Sequence, residues 1–392
     1  MQATAKLSEL TKRVFSPREK FLVLEVTPSG TNAAFLGVDE DHRLIIERTV
    51  RGGNLKKFLR TGTLPLFHAP SLPALVARRK IIISADSKLA TAMPVPLDLS
   101  RDRARWDEEL SIDELENLIA QAMAKIFNQC RGEAAKRLGI DDIHTILVAA
   151  KAERFKIDGH AVMNPIGFTG RKISLLLELT FTTRELFEEL KPFFNAPEAF
   201  FFIESPEAWM RSIARVKRLP LNLIVSDETG PSSLFVFQMP RDAHPVLYRE
   251  KLNWSFRKIF EAIEDAFAVE EATARALYRD FHGGKFSKAA ARHFSKVIQA
   301  PAEDLLRELE RLKISGFVHL DAGYPAPFEL PHKHAGATFE ALPLEAIMTE
   351  LGLAADTNIP FQNLAPFLEA YFAKTPSEIN QKLRRRLHWL VE

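Results

Sequence analysis

The turn that follows an apolar strand at Ser226–Ser233, SDETGPSS, carries the residue types that bind phosphate groups. Asp227 ends the strand and Gly230 gives the backbone room to approach an anion. The hydroxyls of Ser232 and Ser233 follow directly. Backbone N–H groups and hydroxyls of such a turn can hold a phosphate, while an aspartate can orient Mg²⁺ or a water molecule. The segment therefore predicts a phosphate-binding hairpin.

The same pattern occurs once earlier in the chain. Residues 21–50 indicate a strand, a turn, a strand, a second turn and a strand, and residues 221–252 repeat this order. Aligning Glu25 with Asp227 places Thr27 and Ser29 in the first turn. One copy lies near the start of the chain and the other past its middle. This separation predicts two duplicated lobes rather than an array of short repeats.

Both turns also contain residues that weaken phosphate binding. Pro28 and Pro231 each lack a backbone N–H donor, and Glu228 brings a negative charge toward the anion. A structural role for Asp227 and Ser232, satisfying the backbone of their own turn, is therefore favoured over hydrolysis.

Composition excludes several classes of protein. The 392 residues are 46% hydrophobic, which is enough for more than one core. The net charge is only +2, with acids and bases interspersed, so we expect no nucleic-acid partner. The single cysteine, Cys130, cannot form an internal disulfide, and the first residues lack the apolar core of a signal peptide. We therefore expect a cytoplasmic protein, and because its apolar runs are too short to span a bilayer, we expect any membrane contact to be peripheral.

The segment between the hairpins predicts a small α+β subdomain. Its helix begins with a capping box from Ser111 to Glu114, and two strand patterns follow. The predicted organisation is a first lobe over residues 1–99, the inserted subdomain over 100–194, a return helix of the first lobe over 195–219, a second lobe over 220–372 and a basic amphipathic helix over 373–392.

Residues 155–181, FKIDGHAVMNPIGFTGRKISLLLELTF, resemble a stretch of the bacterial cell-division protein FtsA that has a DG turn, an NP-V/I-G motif and a strand in this order. The segment FIESPEAWMRSI resembles the helix that precedes the second phosphate hairpin in FtsA and in its pilus-assembly relative PilM. The resemblance implies an α/β, actin-like (ribonuclease H-like) fold of two duplicated lobes, with a small α+β subdomain inserted in the first lobe.

The resemblance also implies ATP and Mg²⁺ as ligands of the facing hairpins and of a third turn. Here that third turn reads HLDAGYPAPF and keeps one glycine, Gly323. If the site is retained, its nucleotide-binding residues would be Glu25, Thr27, Ser29, Asp227, Gly230, Ser232, Ser233 and Gly323. The departures from the family pattern predict a pseudo-ATPase that binds ATP weakly, and the sequence indicates no catalytic residue and no metal-ligand cluster.

The C-terminal helix has an apolar face flanked by bases. FtsA proteins end in such a helix, so the resemblance implies a membrane tether, and packing against the body is the alternative. The residues assigned to membrane binding are Ile379, Leu383, Arg384, Arg385, Leu387, Trp389 and Leu390.

Three functions compete at this point. The first is an FtsA-like scaffold that self-associates and links a cytoskeletal partner such as FtsZ to the membrane. The second is a PilM-like cytoplasmic platform that binds a component of the type IV pilus. The third is a phosphotransferase of the sugar-kinase type, which the degenerate phosphate turns disfavour.

Overall fold

A computed structural model describes residues 19–39, 43–63, 79–194, 200–226, 231–238, 246–321, 332–350, 360–372 and 378–383. Asp227, Gly230 and Gly323 lie outside these ranges. Of the helices within them, none combines the length and the hydropathy needed to span a bilayer.

The first sheet is built around a strand that is apolar along most of its length. β1 (Glu19–Thr27) is buried from Phe21 to Val26, as is typical of a central strand that is covered on both faces. The sheet contains five strands in the order β3-β2-β1-β4-β9. β2 and β3 extend it in antiparallel fashion, whereas β4 and β9 continue it in parallel. The other elements of this layer are β2 (Gly30–Val38), β3 (Leu44–Gly53), α1 (Leu55–Thr63), β4 (Lys80–Ala85) and β9 (Phe200–Glu204).

The inserted subdomain lies between β4 and β9 in the chain and forms a sheet of its own. Its helix starts where the sequence predicts, because the Ser111 hydroxyl accepts the N–H of Glu114, and it ends at Gly139 in the left-handed conformation. The four strands follow the order β5-β8-β6-β7, all antiparallel. The elements are β5 (Ala90–Ser100), α2 (Ile112–Leu138), β6 (Thr145–Ile157), β7 (His160–Ala161) and β8 (Lys172–Thr183), followed by α3 (Arg184–Phe194) and, after β9, α4 (Ser205–Ile213).

The second unit repeats the arrangement of the first sheet. Its six strands follow the order β12-β11-β10-β13-β15-β14, with β11 and β12 antiparallel to their neighbours and β13 parallel to β10. An aromatic core covers this sheet, and Trp254, Phe260 and Tyr278 are fully buried in it. The elements are β10 (Leu221–Val225), β11 (Ser233–Gln238), β12 (Val246–Lys251), α5 (Arg257–Phe267), α6 (Glu271–His282), α7 (Lys288–Arg311), β13 (Gly316–Asp321), β14 (Lys333–His334) and β15 (Ala337–Phe339).

The two sheets confirm the predicted fold class. Each opens with three antiparallel strands, and each adds parallel strands on the other side of its first strand. This duplicated order, with an α+β insertion in the first copy, is the actin-like fold. The duplication that the hairpin patterns indicate is thus a duplication of whole sheets.

The boundaries of the units differ from those that the sequence suggests. Residues 1–212 and 345–392 form one unit, and residues 213–344 form the other. Two helices that the sequence assigns to the second lobe belong to the first unit. They are α8 (Leu344–Glu350), from its second residue onward, and α9 (Phe361–Tyr371). Aromatic packing explains this, because the Phe367 ring meets the Phe21 ring of β1 edge to face, with centroids 5.0 Å apart. The sequence-based start of the insertion, residue 100, falls at the end of β5 rather than before it.

Two glutamates, at the end of β9 and the start of α4, bind the inserted subdomain to the first sheet. Glu204 accepts the backbone N–H of Ala92, on β5, at 2.7 Å. Arg211 pairs with Glu207 at 2.7 Å and also with Glu178 on β8. Burial and the neighbouring Glu178 raise the pKa of Glu207 well above its usual range. Burial opposes ionisation of Glu178 too, but Arg211 lowers its pKa, so the shared proton resides on Glu207.

We predict that this shared proton makes stability depend on pH. Because folding raises the pKa of Glu207 above its unfolded value of 4.5, the folded chain binds more protons in the window above that value, and stability falls as the pH rises. We expect the free energy of unfolding of the wild type to fall as the pH rises above about 5, by at most about 1.4 kcal/mol per pH unit, and we expect Glu207→Gln to remove this contribution, measured by urea unfolding. Exposed Glu185 provides the control, since Glu185→Gln should keep the slope. Equal slopes in wild type and Glu207→Gln would contradict the assignment.

Candidate functional site

The first hairpin closes on itself through its hydroxyls. Thr27 pairs with Gly30 across a turn of only two residues, Pro28 and Ser29. The Thr27 hydroxyl donates to the Gly30 carbonyl at 3.0 Å and lies 2.9 Å from the hydroxyl of Ser29. Both hydroxyls that the sequence offers for phosphate binding therefore serve the turn itself.

Glu25 is anchored in the first sheet. Its carboxylate is buried and accepts the side-chain amide of Asn32, the residue opposite it on β2, at 2.9 Å. The Asn32 carbonyl oxygen in turn accepts the backbone N–H of Gly52 on β3, at 3.1 Å. Glu25 and Asn32 thus link three neighbouring strands, a structural use of the position that aligns with Asp227.

The second hairpin uses Ser232 in the same internal way. Ser232 is 0% exposed, and its backbone N–H donates to the Trp254 carbonyl at 2.9 Å, while its carbonyl accepts the N–H of Leu252. The Ser232 hydroxyl donates to that of Ser226 at 3.1 Å, and Ser226 also accepts the N–H of Phe256 at 3.2 Å. These bonds join the end of β10 to the segment that leads into α5.

Ser233, the last predicted phosphate ligand in the described ranges, contacts an arginine side chain. Its hydroxyl accepts an Arg249 N–H at 3.2 Å, from the neighbouring strand β12. Pro231 is exposed and has no N–H to give. Within each unit, the predicted residues that the structure describes therefore lie together at their own hairpin, but their polar atoms are bonded within that hairpin or to the segment next to it.

The described part of the C-terminal segment packs into the protein and does not form the predicted membrane face. Residues 378–383 are helical, and Ile379 and Leu383 are only 3% and 2% exposed, in the apolar core of the inserted subdomain. These two residues are therefore corrected from membrane contacts to core residues, because α2 and the subdomain sheet already cover them. Arg384, Arg385, Leu387, Trp389 and Leu390 lie outside the described residues.

Polar contacts fix the same segment in place. The Asn380 amide accepts the backbone N–H of Ala152 at 2.7 Å and donates to its carbonyl at 3.0 Å. β7 pairs with β6 only at residues 156–157, so Asn380 occupies hydrogen-bonding groups that no described strand pairs. Lys382 adds ion pairs to Asp113 and Glu116 of α2.

The sequence analysis did not identify several residues whose hydrogen bonds and ion pairs hold these segments in place. Trp254 accepts the Ser232 N–H, Asn380 binds Ala152, and Glu178 holds Arg211. Spacing on a helix signals a neighbouring contact, the pair Glu207–Arg211 at four residues, but none of these three. The three contacts join residues that are distant in the chain, for which a single sequence carries no local signal.

Comparison with known proteins gives similarity in structure alone. No protein-family model matches the chain, and no curated protein matches it in sequence. A solved structure described as the PilM-PilN type IV pilus biogenesis complex is similar at 14% identity, with a TM-score of 0.44, 95% of this chain covered and 99% of that one. A Bacteroides thetaiotaomicron protein with an actin-like ATPase fold and unknown function is similar at 10% identity, with a TM-score of 0.37 and coverages of 85% and 95%. The glucokinase of Balamuthia mandrillaris is similar at 10% identity, with a TM-score of 0.33 and coverages of 93% and 97%.

We predict that Asn380→Ala will free the edge of β6. Because the variant removes the acceptor of the Ala152 N–H, hydrogen exchange at Ala152 should accelerate at least about tenfold, equivalent to about 1.4 kcal/mol. Glu378→Ala, at an exposed position of the same segment, is the control and should leave this exchange unchanged. Equal exchange at Ala152 in wild type and Asn380→Ala would show that the segment is not docked there in solution.

Proposed function

We propose that this chain is a nucleotide-independent scaffold of the actin-like fold, which binds a protein partner in a membrane-associated assembly. The observation that carries the proposal is the internal bonding of the second phosphate hairpin. A phosphate site needs free backbone N–H groups, and the Ser232 N–H is buried and bonded to Trp254. Binding an anion there would break that bond, at a cost of about 1–3 kcal/mol for the carbonyl left unpaired.

The first hairpin supports the same conclusion. Its two hydroxyls bond within a two-residue turn, and Glu25 is held by Asn32. Phosphoryl transfer depends on positioned donors and a positioned metal, so a phosphotransferase is disfavoured. The actin-like sheets remain as a frame for the inserted subdomain.

The scaffold takes one of two forms, which differ in their partner. In the first, an FtsA-like protein self-associates and binds FtsZ or a similar cytoskeletal protein, at the cytoplasmic face of the inner membrane. In the second, a PilM-like platform binds a pilus component, as the PilM–PilN complex does by its description. Docking of residues 378–383 weakens the membrane-tether argument for the first form, because two of the tether's apolar residues are buried.

The surface of the inserted subdomain offers a candidate contact for either partner. Met163 is 91% exposed and Phe168 is 49% exposed, on the loop between β7 and β8. Backbone bonds tie this loop to the segment before α2, where Leu110 donates to the Phe168 carbonyl at 2.8 Å and receives the N–H of Gly167 at 3.0 Å. A fixed loop with exposed apolar side chains is typical of a protein contact.

We predict that Mg-ATP will not stabilise the protein. A ligand that binds only the folded state raises the melting temperature once its concentration passes the dissociation constant. Thermal-shift titration up to millimolar Mg-ATP should therefore leave the melting temperature unchanged. Ser232→Ala should lower the stability by about 1 kcal/mol without changing this result.

The Asp227→Ala variant tests the alternative, in which the hairpins bind nucleotide. A rise in melting temperature with Mg-ATP in wild type, lost in Asp227→Ala, would mean that the hairpins grip phosphate, and the nucleotide-independent scaffold would be wrong. A rise kept in Asp227→Ala would place the nucleotide elsewhere and would count against the proposal too.

We predict that the exposed apolar pair contributes to partner binding. Purified FtsZ should bind without nucleotide, and the double variant Met163→Ser, Phe168→Ser should weaken binding more than about tenfold, since each buried apolar side chain contributes about 1.5–3 kcal/mol. The control is Ile143→Ser, at an exposed apolar residue elsewhere on the subdomain. Binding of a cytoplasmic peptide from a pilus inner-membrane protein, in place of FtsZ, would select the PilM-like form. Failure of both partners would contradict both forms.

A further inference from the structure

The exposed face of α7, in the second unit, carries a basic stripe, which we define as Lys288, Arg292 and Lys296. The three residues follow at intervals of four, so they share one side of the helix over about 12 Å of its axis. All three are exposed. Phe294 and Ile298, on the other side, are buried in the apolar core, and this packing fixes the direction of the stripe.

The stretch of sequence that contains the basic stripe has no acids. The sequence contains no aspartate or glutamate from residue 281 to residue 302. In the part of the chain that the structure describes, no ion pair involves any of the three stripe residues. The C-terminal half of the same helix differs, because Arg307 pairs with Asp304 at 3.1 Å and Arg311 pairs with Glu308 at 2.9 Å. The excess of positive charge is therefore local to the N-terminal half of α7.

The position of the stripe is unfavourable for the helix itself. Backbone N–H groups give the N-terminus of a helix a partial positive charge, which favours acids there and disfavours bases. The first turn of α7 contains no acid, Lys288 is its first residue, and the neutral Ser287 hydroxyl caps it. A bound anionic surface would compensate both the helix terminus and the unpaired side chains.

We propose that the basic stripe contacts the headgroups of an anionic lipid surface. A protein interface normally needs a buried aromatic or apolar anchor at its centre. The large apolar side chains that the structure describes as exposed are Ile143, Met163, Phe168 and Tyr248, and none of these belongs to α7.

The neighbours of the stripe residues fit a flat surface better than a nucleic acid. Ala289 and Ala290 are exposed and small, so the cations can approach a plane together. Binding of single-stranded nucleic acid uses exposed aromatic side chains on which bases stack, whereas the exposed ring of His293, beside Arg292, already packs edge to face with Phe267. Anionic headgroups require only accessible cations.

The inference extends the proposed location at a membrane and names the surface that would face it. Three cations give weak attachment on their own, because stable anchoring needs a second contact. The stripe would therefore act together with a membrane-bound partner. Vesicle binding is measured on the purified chain without that partner, so either proposal can fail without the other.

The test is sedimentation of the full chain with vesicles of phosphatidylglycerol and phosphatidylcholine in equal parts, compared with phosphatidylcholine alone. We expect the chain to bind weakly to the anionic vesicles and not to the phosphatidylcholine vesicles. The bound fraction should fall as salt is added. The triple variant Lys288→Gln, Arg292→Gln, Lys296→Gln should lower the partition coefficient about 100-fold. The matched control, Arg307→Gln, Arg311→Gln, Lys313→Gln, removes the same charge from the C-terminal end of α7 and the turn that follows it, and should bind like wild type. Circular dichroism and melting temperature verify that both variants are folded.

Several results would overturn the proposal. Absence of wild-type binding to the anionic vesicles would do so, as would equal weakening in the triple variant and its control. Stripe-dependent binding to a DNA duplex or to poly-glutamate, with no binding to vesicles, would assign the basic stripe to an acidic macromolecule in place of lipid.

Discussion

Buried polar contacts at the end of β9 and the start of α4 are the constraint on which the first unit depends. Glu204 is the last residue of β9 and bonds to Ala92 on β5, while Arg211 of α4 joins Glu207 of the same helix to Glu178 on β8. A buried carboxylate without a partner is costly, and removing one member of a buried pair typically costs about 3–5 kcal/mol. The subdomain is therefore held in one orientation on the first sheet by polar contacts that must all be made together.

The hairpins use their own polar groups to hold the fold together. The sheets depend on apolar strands such as β1 and on the aromatic core around Trp254, and neither requires a ligand. The polar groups of the turns make hydrogen bonds within the protein: Ser232 bonds to Trp254, and Glu25 bonds to Asn32. Each bond stabilises its hairpin and removes a donor or an acceptor from the nucleotide chemistry that the actin-like fold serves elsewhere.

The exposed apolar pair of the subdomain loop and the basic stripe belong to different units. The inserted subdomain presents Met163 and Phe168 to solvent, whereas the second unit presents the basic stripe of α7. An apolar contact contributes affinity for a protein, and a row of unpaired cations contributes attraction to an anionic surface.

The sequence by itself determined the elements and their duplication. Apolar strand runs at residues 21–26 and 221–225, the Ser111 cap and the repeated hairpins depend on neighbours within a few residues, so the local pattern carries them. Only the tertiary structure decided what the site residues do. Ser232, Asn380 and Glu178 acquire their roles from Trp254, Ala152 and Arg211, which are distant in the chain. Whether a hydroxyl or a carboxylate faces a ligand or the protein is decided by long-range packing, because only packing determines which polar groups lose water and must find a partner inside.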